Sequence, residues 1–408
     1  MQGRGKQEIP EKTRRPAASS DTIPTCKTCE RPRARLHLGL DSHWSGGFLW
    51  DLLFPCPCVP TPLHIHLTFI GSRFLVVKSY PILQLLHTNL ENSDTRTQFI
   101  NSAKALVKQY GFDGLDLAWQ FPQLPAKKQR STLGTHFHGS IWHSIKQTLG
   151  YGRDFVDEKE EEHRNGFTAL VRDLKAAFRP DSFLLTAAVM PNVNASAYFQ
   201  ATEVSQHLDA ITLMAFDYKT PQRNKKQADY PTPLYTAGGR DVNETVDGSV
   251  TWWLEQGVPA NKLTLGLAMF GRTWKLTSDS QISGVPPIDA DGPGSEGSLT
   301  ATPGLLSYPE VCALVPNPNQ QSAGNLLRKV TDPAQKLGTY GFRMPDPETE
   351  EGGLWVGYED PDTVATKATY ARHKALGGIA ACDITLDDFK GVCNGYKFPV
   401  LKAAKERL

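Results

Sequence analysis

From residue 95 onward, apolar positions at helical spacing alternate with short apolar runs at strand spacing. Between Thr95 and Tyr110, Phe99, Ile100, Ala103, Leu106, Val107 and Tyr110 fall on one helical face, and Gly111 supplies the stop. A strand follows at once. Phe167, Leu170, Val171, Leu174 and Phe178 mark a second helix before the strand Phe183 to Met190, and an aliphatic run follows at Leu208 to Tyr218. A helix around Val250, Trp253 and Leu254 ends at Gly257 and leads into the strand Leu263 to Phe270. The helix Val364 to Leu376 stops at Gly377-Gly378 before Ile379 to Ile384. Helix then strand, repeated with short apolar strands, predicts an α/β fold with a parallel sheet under helices, and the number of repeats favours a (β/α) barrel, with about five of eight units visible.

Two stretches break this rhythm. Up to about residue 90 the chain is irregular and rich in Pro, Arg and Cys, with only Leu67 to Ile70 and Phe74 to Val77 reading as strands. Between Arg272 and Tyr358 it becomes rich in Gly and Pro, which predicts a small inserted α+β subdomain. The expected organisation is therefore an irregular segment 1–90, a barrel of 91–271 plus 360–408, and an insertion 272–359.

The strand after Gly111 carries the most distinctive chemistry. Side chains alternate across a strand, so Asp116, Ala118 and Gln120 share one face while Leu115, Leu117 and Trp119 share the other. The apolar face suits a covering helix, with Trp119 in the core. A carboxylate, a methyl and a carboxamide in a row suit a cleft.

Composition narrows the partners. With 44 basic and 43 acidic residues, the net charge of +1 gives no reason to expect nucleic acid or an anionic membrane as main partner. The apolar stretch from Gly46 to Val77 holds four prolines, Asp51 and two histidines, so no membrane span is expected. Met1 to Pro16 shows no secretory signal. The seven cysteines leave at least one unpaired within the chain. Cys26, Cys29, Cys56 and Cys58 form two close pairs, but Cys-x-Cys is not the usual zinc knuckle and prolines stiffen the surroundings. His136, His138 and His143 fit no strong ligand spacing, so neither a metal nor another cofactor is expected. Asn194-Ala-Ser and Asn243-Glu-Thr are glycosylation acceptors in a secreted chain.

Phe112-Asp-Gly-Leu-Asp-Leu-Ala-Trp-Gln120 resembles the Asp-Gly-x-Asp-x-Asp-x-Glu strand of the family 18 glycoside hydrolases, the chitinases, and more narrowly the chitinase-like imaginal disc growth factors of insects. Phe99 to Ala103, Phe167 to Asp173, Met190 to Asn194, Pro303 to Tyr308 and Asp387 to Phe389 are similar to further family segments, in order. The resemblance implies a (β/α)8 TIM-type barrel with an α+β insertion before the last strand, secretion, and a growth-promoting role. It also implies a Cys312–Cys393 disulfide, closing a loop of about 80 residues and stabilising by on the order of 4 kcal/mol; two buried free thiols are the alternative. It does not cover the first ninety or so residues, where the family carries a signal peptide and its first three β/α units. A five-stranded barrel would leave an open edge. Residues 1–90 are thus expected to be an incorrect or alternative N-terminus that did not evolve to fold on this barrel, or else 63–85 improvises a hairpin over the gap.

The resemblance also implies how chemistry would proceed. In family 18 enzymes the last Glu of the motif protonates the glycosidic oxygen while the substrate's own N-acetyl group attacks. Gln120 stands at that position, and an amide cannot deliver the proton, so general-acid catalysis worth about 100- to 10,000-fold is lost. Ala118 replaces the third Asp of the motif, Phe216 the substrate-contacting Tyr, and Cys382 the Trp of the sugar-binding floor. The expectation is a degenerate site (Asp113, Asp116, Ala118, Gln120) without catalytic residues, with Asp116, Gln120, Met214, Asp217 and Tyr218 as candidate ligand contacts. The implied protein is secreted and inactive, with a cell-surface receptor or insulin-like ligand as partner and weak affinity for chitin or N-acetylglucosamine glycans. Its rivals are a chitin-binding structural lectin of cuticle and a residual chitinase using another carboxylate.

Overall fold

The computed structural model describes residues 63–66, 74–78, 92–119, 121, 157–281, 283–315, 326–346 and 352–408. All of these fall in one compact unit, Ser45–Leu408. Seven strands form its main sheet: β1 (Leu63–His66), β2 (Phe74–Lys78), β3 (Gly114–Ala118), β4 (Leu184–Val189), β5 (Ala210–Leu213), β7 (Leu263–Ala268) and β14 (Gly378–Cys382), hydrogen-bonded in that order. From β2 to β14 every neighbouring pair is parallel. The intervening β6 (Gln227–Ala228) pairs instead with β9 (Ile288–Asp289), away from the main sheet.

Helices cover the outer face. In α1 (Ser93–Tyr110) the Asn92 side chain caps the N-terminus by accepting from Asp94 N–H, and Gly111 closes the other end at φ 63°. Phe99, Ile100, Ala103 and Val107 are buried, whereas Tyr110, in the last turn, is 54% exposed. The helix α2 (Glu160–Phe178) buries Phe167, Leu170, Val171, Leu174 and Phe178. Two short helices, α3 (Ala195–Tyr198) and α4 (Ala201–His207), precede β5. Later come α5 (Val246–Glu255), α6 (Tyr308–Leu314), α7 (Pro361–His373) and α8 (Pro399–Lys405).

The apolar run Leu263 to Phe270 divides between two sheets. It splits at Met269, whose N–H bonds to the Cys382 carbonyl, and the chain continues as β8 (Phe270–Leu276). That strand joins a five-stranded antiparallel sheet with β10 (Leu305–Ser307), β11 (Arg328–Thr331), β12 (Thr339–Arg343) and β13 (Gly353–Tyr358), in the order β10-β8-β13-β12-β11. Trp274 and Trp355 face each other across β8 and β13 with ring centroids 5.5 Å apart, and they anchor an aromatic core with Tyr230, Tyr340 and Phe342.

Of the two expected N-terminal strands, Phe74 to Val77 is present within β2, while the other is placed differently. The first strand lies at Leu63–His66, while 67–70 fall outside the described residues. It pairs antiparallel with β2, Leu63 opposite Val77, and β2 in turn pairs parallel with β3, Phe74 opposite Gly114. A hairpin therefore extends the sheet beyond β3. At the other edge β14 bonds only to β7 among the described residues, and all five of its residues are half-buried. Cys312 on α6 and Cys393 after β14 form a disulfide across 81 residues of sequence. Cys26, Cys29, Cys56, Cys58 and the histidines at 136, 138 and 143 lie outside the described residues.

Candidate functional site

β3 positions the site because its two faces do different work. Leu115, Leu117 and Trp119 are buried against the helical layer, Trp119 beside Phe167 at 6.3 Å between centroids. Gly114 is obligatory at this point: a Cβ there would sit 2.2 Å from the Leu184 carbonyl oxygen of the neighbouring strand. The inner face carries Asp116 and Ala118. Register places Asp116 opposite Thr186, whose hydroxyl donates to Asp116 Oδ1 at 2.6 Å. Burial pushes the Asp116 carboxyl up to about 6, against the opposing pull of that hydrogen bond.

Beside Asp116 the surface is apolar and sulfur-rich. Ala118 and Ala188 form a small buried cluster against which Met190 and Met214 pack. The Cys382 thiol lies 3.7 Å from the Met214 sulfur, reaching across β7 at the edge of the sheet. Burial, then the charges of Asp383 and Asp116, push this thiol up to about 12, so it is protonated at neutral pH. Gln120 lies outside the described residues. Asp113 is half-buried, and its carbonyl accepts the Leu184 N–H at 2.9 Å.

Two expected ligand contacts are otherwise engaged. Asp217, at φ 60°, accepts two hydrogen bonds from Arg272, Nε at 2.7 Å and Nη2 at 2.6 Å, and its carbonyl accepts from Arg223. Its carboxylate is thus committed to a bidentate ion pair. Tyr218 has its ring buried in the helical layer, and its hydroxyl donates to the Thr245 carbonyl and bonds Ser249 Oγ at 2.6 Å. The reason is local. After Met214 the chain makes two tight turns, Ala215 N–H to Leu213 O and Phe216 N–H to Met214 O, so strand alternation no longer decides where Phe216 and Tyr218 point. Phe216 is buried edge-on to Phe270, 5.7 Å between centroids.

Two buried polar knots escaped the sequence reading. His163 bonds Asp157 at 2.7 Å, and the same carboxylate oxygen accepts from Tyr198 at 2.9 Å, which ties the start of α2 to α3. His163 stands in the apolar stripe of α2, and that misplacement was the available signal. Lys367 on α7 is buried with Glu359 as its ion-pair partner and donates to Thr232 O and Oγ1 at 2.6 and 2.7 Å. Of the glycosylation acceptors, Asn243 is exposed in the turn Val242–Glu244, while half-buried Asn194 caps α3. Among the described residues no group of three or more His, Cys, Asp or Glu side chains converges as a metal site, and no helix is long and apolar enough to cross a membrane.

Residues 85–387 match Glycosyl hydrolases family 18. The chain belongs to this family. It is 51% identical over 322 residues to the chitinase-like protein EN03 of Bombyx mori, covering 78% of this chain and 72% of that one. It is 48% identical to the chitinase-like protein Idgf4 of Drosophila melanogaster (79% and 72% covered) and 46% identical to imaginal disk growth factor 6 of the same fly (78% and 70%). Solved family 18 folds match as well. Catalytic domain 2 of the Ostrinia furnacalis Group II chitinase superposes with a TM-score of 0.62 at 25% identity, covering 79% of this chain and 73% of that one. The Group IV chitinase of the same moth gives 0.65 at 24% identity, covering 83% and 80%. The family 18 fold is a TIM-type (β/α)8 barrel, and the chain is a member of its chitinase-like, imaginal disc growth factor group.

Proposed function

We propose that this family 18 protein is a secreted, non-hydrolytic growth factor that acts by binding, cooperating with insulin-type signalling through a cell-surface receptor or insulin-like ligand. The observation that carries the reading is the inner face around Asp116. An enzyme of this family needs several carboxyl groups and an acid in one cleft, whereas Asp116 has Ala118, Met190, Met214 and Cys382 about it and Asp217 is held by Arg272. Gln120 at the acid position of the motif adds a group that cannot protonate a leaving oxygen. The Cys312–Cys393 bond suits an oxidising compartment.

Hydrolysis of a fluorogenic chitooligosaccharide tests this directly. Turnover above that of a Gln120→Ala control refutes the non-hydrolytic reading, while turnover gained only in the Gln120→Glu, Ala118→Asp double variant supports it.

Glycan binding without cleavage is a second reading. It is favoured by the Group II chitinase domain, 26% identical to this chain, which was solved in complex with (NAG)5. The half-buried Asp116 would orient an acetamido group. Retention on chitin beads, reduced at least tenfold by Asp116→Ala, is the expected result; equal retention removes the site from the binding surface.

A further inference from the structure

The loop after β14 has a surface that the barrel cleft does not explain. Of nine exposed large hydrophobic side chains among the described residues, three stand within 389–396: Phe389 at 43%, Val392 at 56% and Tyr396 at 68% exposure. Their exposure does not come from a slack chain. Phe398 N–H bonds Asp388 O at 2.8 Å to close the loop base, and Gly395 N–H bonds Gly391 O at 2.9 Å to close its tip. The buried Asp388 carboxylate accepts from the backbone N–H groups of Gly391, Val392 and Cys393 at 2.8 to 3.0 Å, and Cys393 is bonded to Cys312. A rigid frame thus holds apolar groups out in water, where a mobile loop would fold them inward.

Basic residues accompany this loop along the chain. From Phe389 to Arg407 the chain has four exposed lysines, Lys390, Lys397, Lys402 and Lys405, and exposed Arg407, against one acidic residue, Glu406. The Lys390 ammonium lies 5.6 Å from the centre of the Phe389 ring. The overall charge of +1 conceals this local concentration. Composition also discriminates between partners: protein interfaces are enriched in Arg and depleted in Lys, and this stretch has four Lys to one Arg. Lysines around exposed aromatic and aliphatic groups are instead the pattern of a surface that rests in a lipid headgroup layer, the ammoniums on phosphates and the apolar tips just below.

We propose that the disulfide-held loop Phe389 to Lys397 is a peripheral docking surface for an anionic lipid bilayer. This is independent of what the barrel cleft binds. Flotation of the full chain with vesicles of phosphatidylcholine, with and without about 30% phosphatidylserine, tests it. Expected is partition onto the anionic vesicles alone, lost between about 50 and 500 mM salt. Lys390→Glu with Lys397→Glu should lower that partition about thirtyfold or more, and Val392→Asp about tenfold. All three positions are exposed, and unchanged circular dichroism and melting show that the variants fold. Wild-type protein that stays off anionic vesicles, or that binds neutral ones equally, overturns the proposal. So do loop variants that partition like wild type. Variants that keep vesicle binding but lose capture on poly-glutamate beads assign the surface to an acidic protein, which also overturns it.

Discussion

Asp116→Asn isolates the electrostatics of the site in one side chain. Burial holds the folded carboxyl at about 6 against an ordinary value of 3.8, so the folded state binds this proton more tightly than the unfolded chain does. Ionisation therefore opposes folding. The cost is absent below 3.8, grows as pH rises through this window, and is complete above about 6. A gap of that size corresponds to about 3 kcal/mol, and solvent screening of a half-buried group reduces it to about 1–3 kcal/mol. Asparagine keeps an oxygen to accept the Thr186 hydroxyl at nearly the same volume and never ionises. The variant should thus be more stable than wild type by about 1–3 kcal/mol at pH 8, and by about 0.5 kcal/mol or less at pH 4. Urea unfolding followed by tryptophan fluorescence at both pH values measures this. An Asp116→Asn protein no more stable at pH 8, or equally stabilised at pH 4, refutes the reasoning.

Three further perturbations test the frame around the site. Lys367→Met strands Glu359 in the core and should cost about 3–5 kcal/mol in denaturant unfolding, most of it recovered when Glu359→Gln is added. The bonds from His163, Lys159 N–H and Tyr198 outweigh the opposing effect of burial and hold the Asp157 carboxyl below its ordinary value, so its stabilisation is present above about 3.8 and lost as pH falls through the depressed value. Asp157→Asn should therefore cost about 1 kcal/mol at pH 7 and little near pH 3 by thermal melting. Replacing Cys312 and Cys393 with Ser should remove about 4 kcal/mol and speed amide exchange at Val392 and Cys393, whose N–H groups the loop frame buries.

Periodicity made much of the fold legible where an element has one buried face. The α1 and α2 stripes, the Gly111 stop and the two faces of β3 are of this kind. It failed where tertiary context reassigns a continuous pattern. Leu263 to Phe270 reads as a single strand because β7 and the start of β8 are both apolar, and only the turn of the chain at Met269 sends them into different sheets. The directions of Phe216 and Tyr218 were not legible, because the turns after Met214 cancel the two-residue period. The Lys367–Glu359 pair was invisible because its members approach only when α7 packs beside the end of β13. Conversely, the run of lysines from Lys390 was readable in the sequence, but its meaning depends on the loop closure that keeps Phe389, Val392 and Tyr396 exposed.

Ala118→Asp alone probes what restoring the family pattern would cost. Position 118 is buried, on the face it shares with Asp116, and packs with Ala188, Met190 and Met214. A carboxyl placed there faces both desolvation and the charge of Asp116, so the two would titrate as a coupled pair whose second ionisation is pushed well above 6. At pH 8 the variant should be about 2–4 kcal/mol less stable than wild type, the loss shrinking toward pH 4 as the pair takes up protons. Ala118→Asn is the control for size, since it adds the same bulk without charge. If both variants lose the same stability at both pH values, crowding rather than charge governs the position, and the argument fails. If the loss is electrostatic, Ala118 relieves the site of a charge that only a catalytic cycle would require. The Gln120→Glu, Ala118→Asp protein should then show its best hydrolysis at mildly acidic pH, where the pair holds a proton and the fold retains its stability.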